Sequence, residues 1–242
     1  MSITLSCATL TSAEPTEPGG INWGELTEEE IFEISKKLVE MKNELYVEDA
    51  TKGFKAYYID KDMEQAKKHW SNARLLQDNG LTNYQLGSIY LIEGNFKQAL
   101  DYFEVAVKDK DYFFKYYPQF IPITYARLGY TYWFLDRLEE TQAPLEKALE
   151  LGYNDDPLLF HVLSIAYYNK GMMDKTLEML ERGVAVDPNY EPLVVNLGDT
   201  YKELGQKEKA IIYLTRFLAI TERPDDDPVV QAVKKDLEEL KK

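Results

Sequence analysis

Thiol and imidazole side chains are scarce in this sequence of 242 residues. It contains one cysteine, Cys7, and two histidines, His69 and His161. One thiol cannot form an intrachain disulfide, and the two histidines are too far apart in sequence to suggest a histidine-metal cluster. We therefore expect no disulfide framework, no metal site and no cofactor.

Catalytic motifs and long apolar runs are also missing. The sequence has no glycine-rich phosphate loop and no Gly-x-Ser-x-Gly elbow. Acidic pairs such as Glu139-Glu140 are typical of solvated helix faces rather than of acid–base catalysis. No apolar run reaches the roughly 18 residues that a spanning helix requires. The sequence thus predicts a protein that is not an enzyme, with no catalytic residues and no membrane insertion.

Basic residues are outnumbered, with 28 Lys and Arg against 42 Asp and Glu and a formal net charge of −14. Such a charge disfavours phosphate backbones and anionic lipid surfaces, so we expect no nucleic-acid partner. Hydrophobic residues make up 45% of the chain and aromatic residues 13%, including 18 tyrosines. This composition is typical of a folded protein with aromatic contact surfaces.

A frame of Leu, Gly and Tyr recurs along the chain. Its clearest copy is Leu86-Gly87-x-x-Tyr90, followed by Ala99, Phe103 and Ala106. Further copies are Leu128-Gly129-x-x-Tyr132, Leu163-Ser164-x-x-Tyr167 and Leu197-Gly198-x-x-Tyr201. Spacings of 42, 35 and 34 residues separate the Gly or Ser positions. A near-constant period of this length indicates a stacked repeat protein.

These positions resemble the tetratricopeptide repeat, which has about 34 residues and two helices. Five copies are found, of which the first is diverged and keeps Tyr57, Ala66, Trp70 and Ala73. The resemblance implies an all-α fold, a right-handed α-solenoid of helix-turn-helix repeats with capping helices. Gly94, Gly171 and Gly205 fall where first helices end, a position that favours left-handed backbone.

The chain divides accordingly into four segments. We predict a disordered tail over residues 1–25, a capping helix over 26–46, five repeats over 47–224 and a closing helix over 225–242. Asp227 and Pro228 have the residue types of an N-cap and a first helical position.

The first thirteen residues leave the compartment open. Thr11-Ser12-Ala13 follows a mildly apolar stretch, which resembles the end of a secretory signal without its basic region. A truncated signal would make the protein periplasmic or secreted. A disordered tail of a cytoplasmic protein is the alternative.

The family resemblance implies a partner-binding groove lined by the first helix of each repeat. Its exposed positions lie beside the Leu-Gly-Tyr frame. In this chain the predicted groove residues are Tyr84, Gln85, Ser88, Arg127, Tyr130, Trp133, Phe134, His161, Tyr168, Asn196 and Asp199. The groove is aromatic at its centre and polar at its ends, which suits an extended peptide or a helix.

Two alternatives bear on this groove. Some family members grip a C-terminal carboxylate with asparagines, but here Ser88, Tyr130, Ile165 and Asp199 stand at those sites, which disfavours that mode. Trp133 and Phe134 are alternatively core residues that pack on helices of the next repeat or on the insertion.

The interval of 42 residues indicates an insertion at about 110–120, with six aromatic residues in nine positions. Its predicted surface residues are Tyr112, Phe113, Tyr116 and Tyr117. We expect it either to fold over its own solenoid or to contact another subunit. The sequence therefore predicts a non-catalytic scaffold or adaptor for a protein or peptide partner. The alternative is a self-associating structural protein that buries the insertion in a homo-oligomer.

Overall fold

The computed structural model of the chain describes Glu29 and residues 44–242. These residues form helices joined by short turns, and no β-strand occurs among them, so the predicted all-α fold class is confirmed. The predicted tail and nearly all of the predicted N-terminal capping helix lie outside the described residues. The described helices form two compact units, divided between Asn154 and Asp155.

The N-terminal unit consists of helix pairs and the insertion. Its helices are α1 (Glu44–Phe54), α2 (Met63–Leu76), α3 (Gly80–Ile92), α4 (Phe96–Ala106), α5 (Phe113–Tyr116), α6 (Ile121–Phe134) and α7 (Leu138–Glu150). A π-helical turn, Lys55–Ile59, follows α1, and a 3-10 turn, Pro118–Phe120, precedes α6. Within each pair, α1 packs on α2, α3 on α4 and α6 on α7.

The C-terminal unit consists of two helix pairs and a last single helix. Its helices are α8 (Pro157–Asn169), α9 (Met173–Val186), α10 (Glu191–Glu203), α11 (Lys207–Ile220) and α12 (Pro228–Leu240). Here α8 packs on α9, α10 packs on α11, and α12 packs on α11. Asp227 caps α12 by accepting hydrogen bonds from the backbone N–H groups of Val229 and Val230. Pro228 takes the first helical position of α12.

The turns inside the helix pairs follow the predicted stop signals. Gly94, Gly171 and Gly205 have φ angles of 72°, 69° and 70°, a left-handed backbone that side chains with a Cβ disfavour. Asp136 takes the equivalent place after α6, with φ 58°. The first helix of each of these pairs therefore ends where the sequence pattern indicates.

The glycines of the Leu-Gly-Tyr frame bring the two helices of a pair together. A Cβ built on Gly87 would lie 2.9 Å from the Phe103 ring, and one on Gly198 would lie 2.7 Å from Leu214. Contacts this short leave no room for a methyl group. The frame is therefore a packing pattern, as its sequence suggested.

Candidate functional site

The first helices of the N-terminal unit, α3 and α6, bring most of the predicted groove residues together. The structure nevertheless buries them: Tyr84, Gln85, Ser88, Arg127 and Tyr130 are each at most 1% exposed. The sequence pattern predicted these positions as exposed because they lie beside the packing frame. The sequence pattern does not reveal that other side chains of the same unit cover the face of α3 and α6 that carries these residues.

Arg127 is the centre of a buried polar network between two repeats. Its Nη1 donates hydrogen bonds to the Tyr84 hydroxyl, at 2.9 Å, and to Ser88 Oγ. Its guanidinium carbon also lies 5.1 Å from the centre of the Tyr84 ring. Because Tyr84 and Ser88 belong to α3 and Arg127 belongs to α6, the network connects the first helices of neighbouring repeats.

Two tyrosines that follow α1 extend this network. Gln85 Nε2 donates to the Tyr58 hydroxyl at 3.5 Å. Burial raises the pKa of Tyr57 to about 12, while the positive charge of Arg127 acts in the opposite direction. Burial likewise raises the pKa of Tyr58 and of Tyr84. All three hydroxyls are therefore neutral and protonated at pH 7.

We call this set the Arg127 cluster; it comprises Tyr57, Tyr58, Tyr84, Gln85, Ser88 and Arg127. Tyr57 and Tyr58 were not among the predicted site residues. Both side chains are buried, and both residues lie in the π-helical turn Lys55–Ile59 that follows α1. A π turn holds one residue more than an α turn, and no sequence signal marked it.

Among the side chains that surround Arg127 in the cluster, two buried polar atoms have no hydrogen-bond partner in the described residues. They are the Tyr57 hydroxyl oxygen and Gln85 Oε1. A buried polar atom without a partner costs about 1–3 kcal/mol. The cluster therefore carries unused hydrogen-bonding capacity inside the unit.

Trp133 and Phe134 lie at the end of α6. Their rings are 5.0 Å apart, and the Phe134 ring stacks on Phe96 of α4 at 4.7 Å. Trp133 is buried and Phe134 is half-buried. This geometry is the one expected if these aromatic residues pack on a neighbouring repeat.

The C-terminal unit leaves its predicted groove residues more accessible. Tyr168 on α8 and Asn196 and Asp199 on α10 are half-buried. Burial raises the pKa of Asp199 to about 6, and the neighbouring carboxylates of Asp236 and Glu203 act in the same direction. Lys202, which opposes this shift, is itself paired with Asp236 on α12.

His161, the fourth predicted groove residue of this unit, is buried on α8. Its ring lies 6.0 Å from Tyr190. Burial lowers the pKa of His161 to about 4, so the imidazole is neutral at pH 7.

The aromatic insertion packs on its own unit. Phe113 and Tyr117 are fully buried, Tyr112 is half-buried and the side chain of Tyr116 is 43% exposed. The Phe113 ring lies 6.0 Å from the Tyr84 ring. Of the two arrangements expected from the sequence, contact with its own repeats is the one observed for Phe113 and Tyr117.

Asp109 fixes the start of the insertion. Its Oδ2 accepts a hydrogen bond from the backbone N–H of Gly80 at 2.6 Å, and its Oδ1 accepts one from Tyr112 at 2.9 Å. The Phe120 ring, at the other end, lies 5.1 Å from Tyr84. The insertion is thus attached at both ends to the start of α3.

Two other kinds of site are absent from the described residues. No group of three or more His, Cys, Asp or Glu side chains there has an arrangement that could hold a metal ion. Within the same residues, no helix combines the length and apolarity that a membrane crossing needs.

Three segments of the chain match a known family of repeats. The sequence model of the tetratricopeptide repeat matches residues 82–108, 123–152 and 192–223. The chain is 26% identical over 188 residues to the BBSome complex member BBS4 of Bos taurus. That match covers 65% of this chain and 36% of BBS4, so the chain spans about a third of that relative's length.

Solved structures share the fold. YrrB, described as a TPR protein with an unusual peptide-binding site, superimposes with a TM-score of 0.63 at 21% identity. The match covers 84% of this chain and 97% of YrrB. A MamA structure gives a TM-score of 0.59 at 19% identity, over 76% of this chain and 96% of its own.

Proposed function

Because the chain contains tetratricopeptide repeats, we propose that it is a protein-interaction scaffold that binds a peptide or a helix on the first helices of its repeats. The observation that carries this proposal is the match of three separate segments to the repeat model. Repeat stacks of this kind act through extended surfaces rather than through a catalytic centre. We assign no catalytic residue and no cofactor.

The similar proteins support a role in binding a protein or a peptide. The description of YrrB names a peptide-binding site, and BBS4 is a member of a protein complex. Both statements concern those proteins, and their partners are not transferred to this chain. They favour a protein or peptide as the class of partner.

Within the C-terminal unit, we propose that the half-buried side chains of Tyr168, Asn196 and Asp199 contact the partner. They stand on first helices, and they combine an aromatic ring, an amide and a carboxylate. Aromatic side chains with polar neighbours are common at the centres of protein interfaces.

A photo-crosslinking amino acid at single positions tests the proposal. We expect strong crosslinks to a partner protein from position 196 on the first helix α10. Position 208 on the second helix α11, where Glu208 is exposed, is the matched control and should give few. Equal crosslinking from both positions would contradict a first-helix binding face.

The self-associating alternative has less support. Phe113 and Tyr117, the residues proposed to be buried between subunits, are already fully buried within their own unit. Tyr116 remains as the exposed aromatic residue of the predicted insertion surface. A homo-oligomer would therefore have a small part of the insertion available for its interface.

A further inference from the structure

The closing helix α12 is attached to the first helix α10 by ion pairs. Lys202 of α10 pairs with Asp236 of α12, and 26% and 22% of these side chains are exposed. At the start of α12, Arg223 pairs with Glu191 of α10 and with the N-cap residue Asp227. Ion pairs that are partly buried are screened less by solvent than exposed pairs are. These pairs therefore help to hold α12 on its unit.

Lys202 also attracts a second carboxylate, that of Asp199, which stands one turn earlier on α10. Burial and the carboxylates of Asp236 and Glu203 disfavour the charged form of Asp199, whereas the positive charge of Lys202 favours it. Burial is the largest of these effects, and together they raise the pKa of Asp199 to about 6. Lys202 is thus shared between a partner on α12 and a neighbour on its own helix.

The other helices that pack on α10 also bring titratable groups towards it. Burial and the carboxylate of Glu203 raise the pKa of Tyr168 on α8, so this hydroxyl stays protonated near pH 6. Glu181 of α9 and Lys209 of α11 face α10 as well, but both contact Tyr201. Asp199, with a pKa of about 6, changes its charge between pH 5 and pH 7.5.

We propose that the contact between α10 and α12 is a pH-sensitive switch. When Asp199 is neutral, Lys202 pairs with Asp236 alone, and α12 is held firmly. When Asp199 is ionised, it attracts Lys202 and repels Asp236, so α12 opens more often. Each opening exposes Val233 and Leu237, the apolar side chains that α12 buries when it is closed. This inference does not depend on the identity of a partner.

The direction of the switch follows from proton linkage. Asp199 binds its proton more tightly when α12 is closed, so its protonation favours the closed state. This contribution is fully present below pH 3.8 and is lost as the pH rises through about 6. If closing α12 caused the whole change in pKa, the equilibrium constant for opening would rise about tenfold between pH 5 and pH 7.5. Because α9 and α11 also pack on α10, part of the burial remains in the open state, and we expect about threefold.

Hydrogen–deuterium exchange of the full chain measures how often α12 opens. At pH 7.5, Asp199→Asn, which is neutral at every pH, should slow the exchange of α12 about threefold relative to the native chain. At pH 5.0 the two chains should exchange alike, because the native carboxyl group is then mostly protonated. Glu208→Gln, which removes an exposed charge from α11, is the matched control and should leave the exchange of α12 unchanged at both pH values.

A second substitution separates the switch from the general effect of burying Asp199. With Asp236→Asn, Lys202 loses its carboxylate partner on α12, so Asp199 no longer competes with that partner. In this background, Asp199→Asn should have little effect on the exchange of α12 at pH 7.5. An undiminished effect would overturn the switch, because Asp199 would then act through its burial alone. Equal exchange of the native chain and Asp199→Asn at pH 7.5, or the same slowing at pH 5.0, would also overturn it. None of these results bears on partner binding by the first helices.

Discussion

The carboxyl group of Asp199 is half-buried on α10, and burial raises its pKa to about 6 from 3.8. The folded chain thus holds this proton more tightly than the unfolded chain. The stability that Asp199 contributes is fully present below about pH 3.8 and is lost as the pH rises through 6.

Asp199→Asn should therefore stabilise the chain at neutral pH and not at acid pH. We expect a gain of about 1–2 kcal/mol at pH 7.5, which disappears near pH 3.5. Urea unfolding at both pH values measures it. Glu208→Gln, which removes an exposed charge on α11, is the control and should be neutral at both. An equal gain for Asp199→Asn at pH 3.5 would show that desolvated charge is not its cause.

In two copies of the repeat frame, the Tyr hydroxyl makes a hydrogen bond to the preceding repeat. Tyr132 donates to Glu104 of α4 at 2.8 Å, and in the C-terminal unit Tyr201 donates to Glu181 of α9. Tyr132→Phe should lower the free energy of unfolding by about 1–2 kcal/mol, because the bond is to a charged acceptor. Tyr125→Phe on the same helix is the control, since Tyr125 contacts Phe114 through its ring, at 6.4 Å, and phenylalanine keeps that ring.

A double-mutant cycle with Glu104→Gln assigns the loss to this bond. We expect the Tyr132→Phe effect to shrink in the Glu104→Gln background, as it must for two groups that interact. Full additivity would mean that the hydroxyl acts through other contacts.

At the scale of single residues, the sequence predicted the packing residues better than the site residues. The frame around Gly87 and Tyr90 is periodic, and periodicity shows which side of a helix meets its partner helix. Ser88 and Arg127 were predicted beside that frame as exposed residues, but they are buried. Tyr58 and Phe120, which contact Gln85 and Tyr84 of α3, come from other elements and follow no period.

At the scale of the elements, the packing of the insertion on α3 requires glycine at position 80. A Cβ there would lie 2.3 Å from the Phe113 Cβ. Gly80→Ala should displace Phe113, at a cost of about 1–3 kcal/mol, and expose the insertion. Trypsin should then cleave faster after Lys110 or Lys115, which are both exposed.

Phe113→Gly supplies the comparison for this prediction. In that background Gly80→Ala should be nearly neutral, because the clashing Cβ and ring of Phe113 are both gone. If Gly80→Ala costs the same in both backgrounds, the contact with Phe113 is not what requires glycine at position 80.

The elements themselves were largely predictable from local chemistry. Left-handed glycines mark the ends of first helices, and Asp227 with Pro228 marks the start of α12. The attachment of the insertion was not predictable. It includes a long-range hydrogen bond that the Gly80 N–H donates to Asp109, and nothing in the spacing of these residues specifies that bond.

For the whole molecule, the oligomeric state separates the scaffold from the self-associating alternative. We expect the 28.1 kDa chain to sediment as a monomer, because the large aromatic residues of the insertion are buried within their own unit. Tyr116→Ala should sediment identically. A dimer that Tyr116→Ala dissociates would favour the alternative.

The central claim is that the first helices of the repeats bind a partner. Hydrogen–deuterium exchange of the full chain tests it most directly. Exchange is measured with and without a binding peptide that has been selected from a phage library of random peptides. The account predicts slower exchange in the first helices of a unit, α3 and α6 or α8 and α10. Second helices such as α4, α7 and α11 should stay unchanged. Slower exchange confined to second helices or to α12 would contradict it.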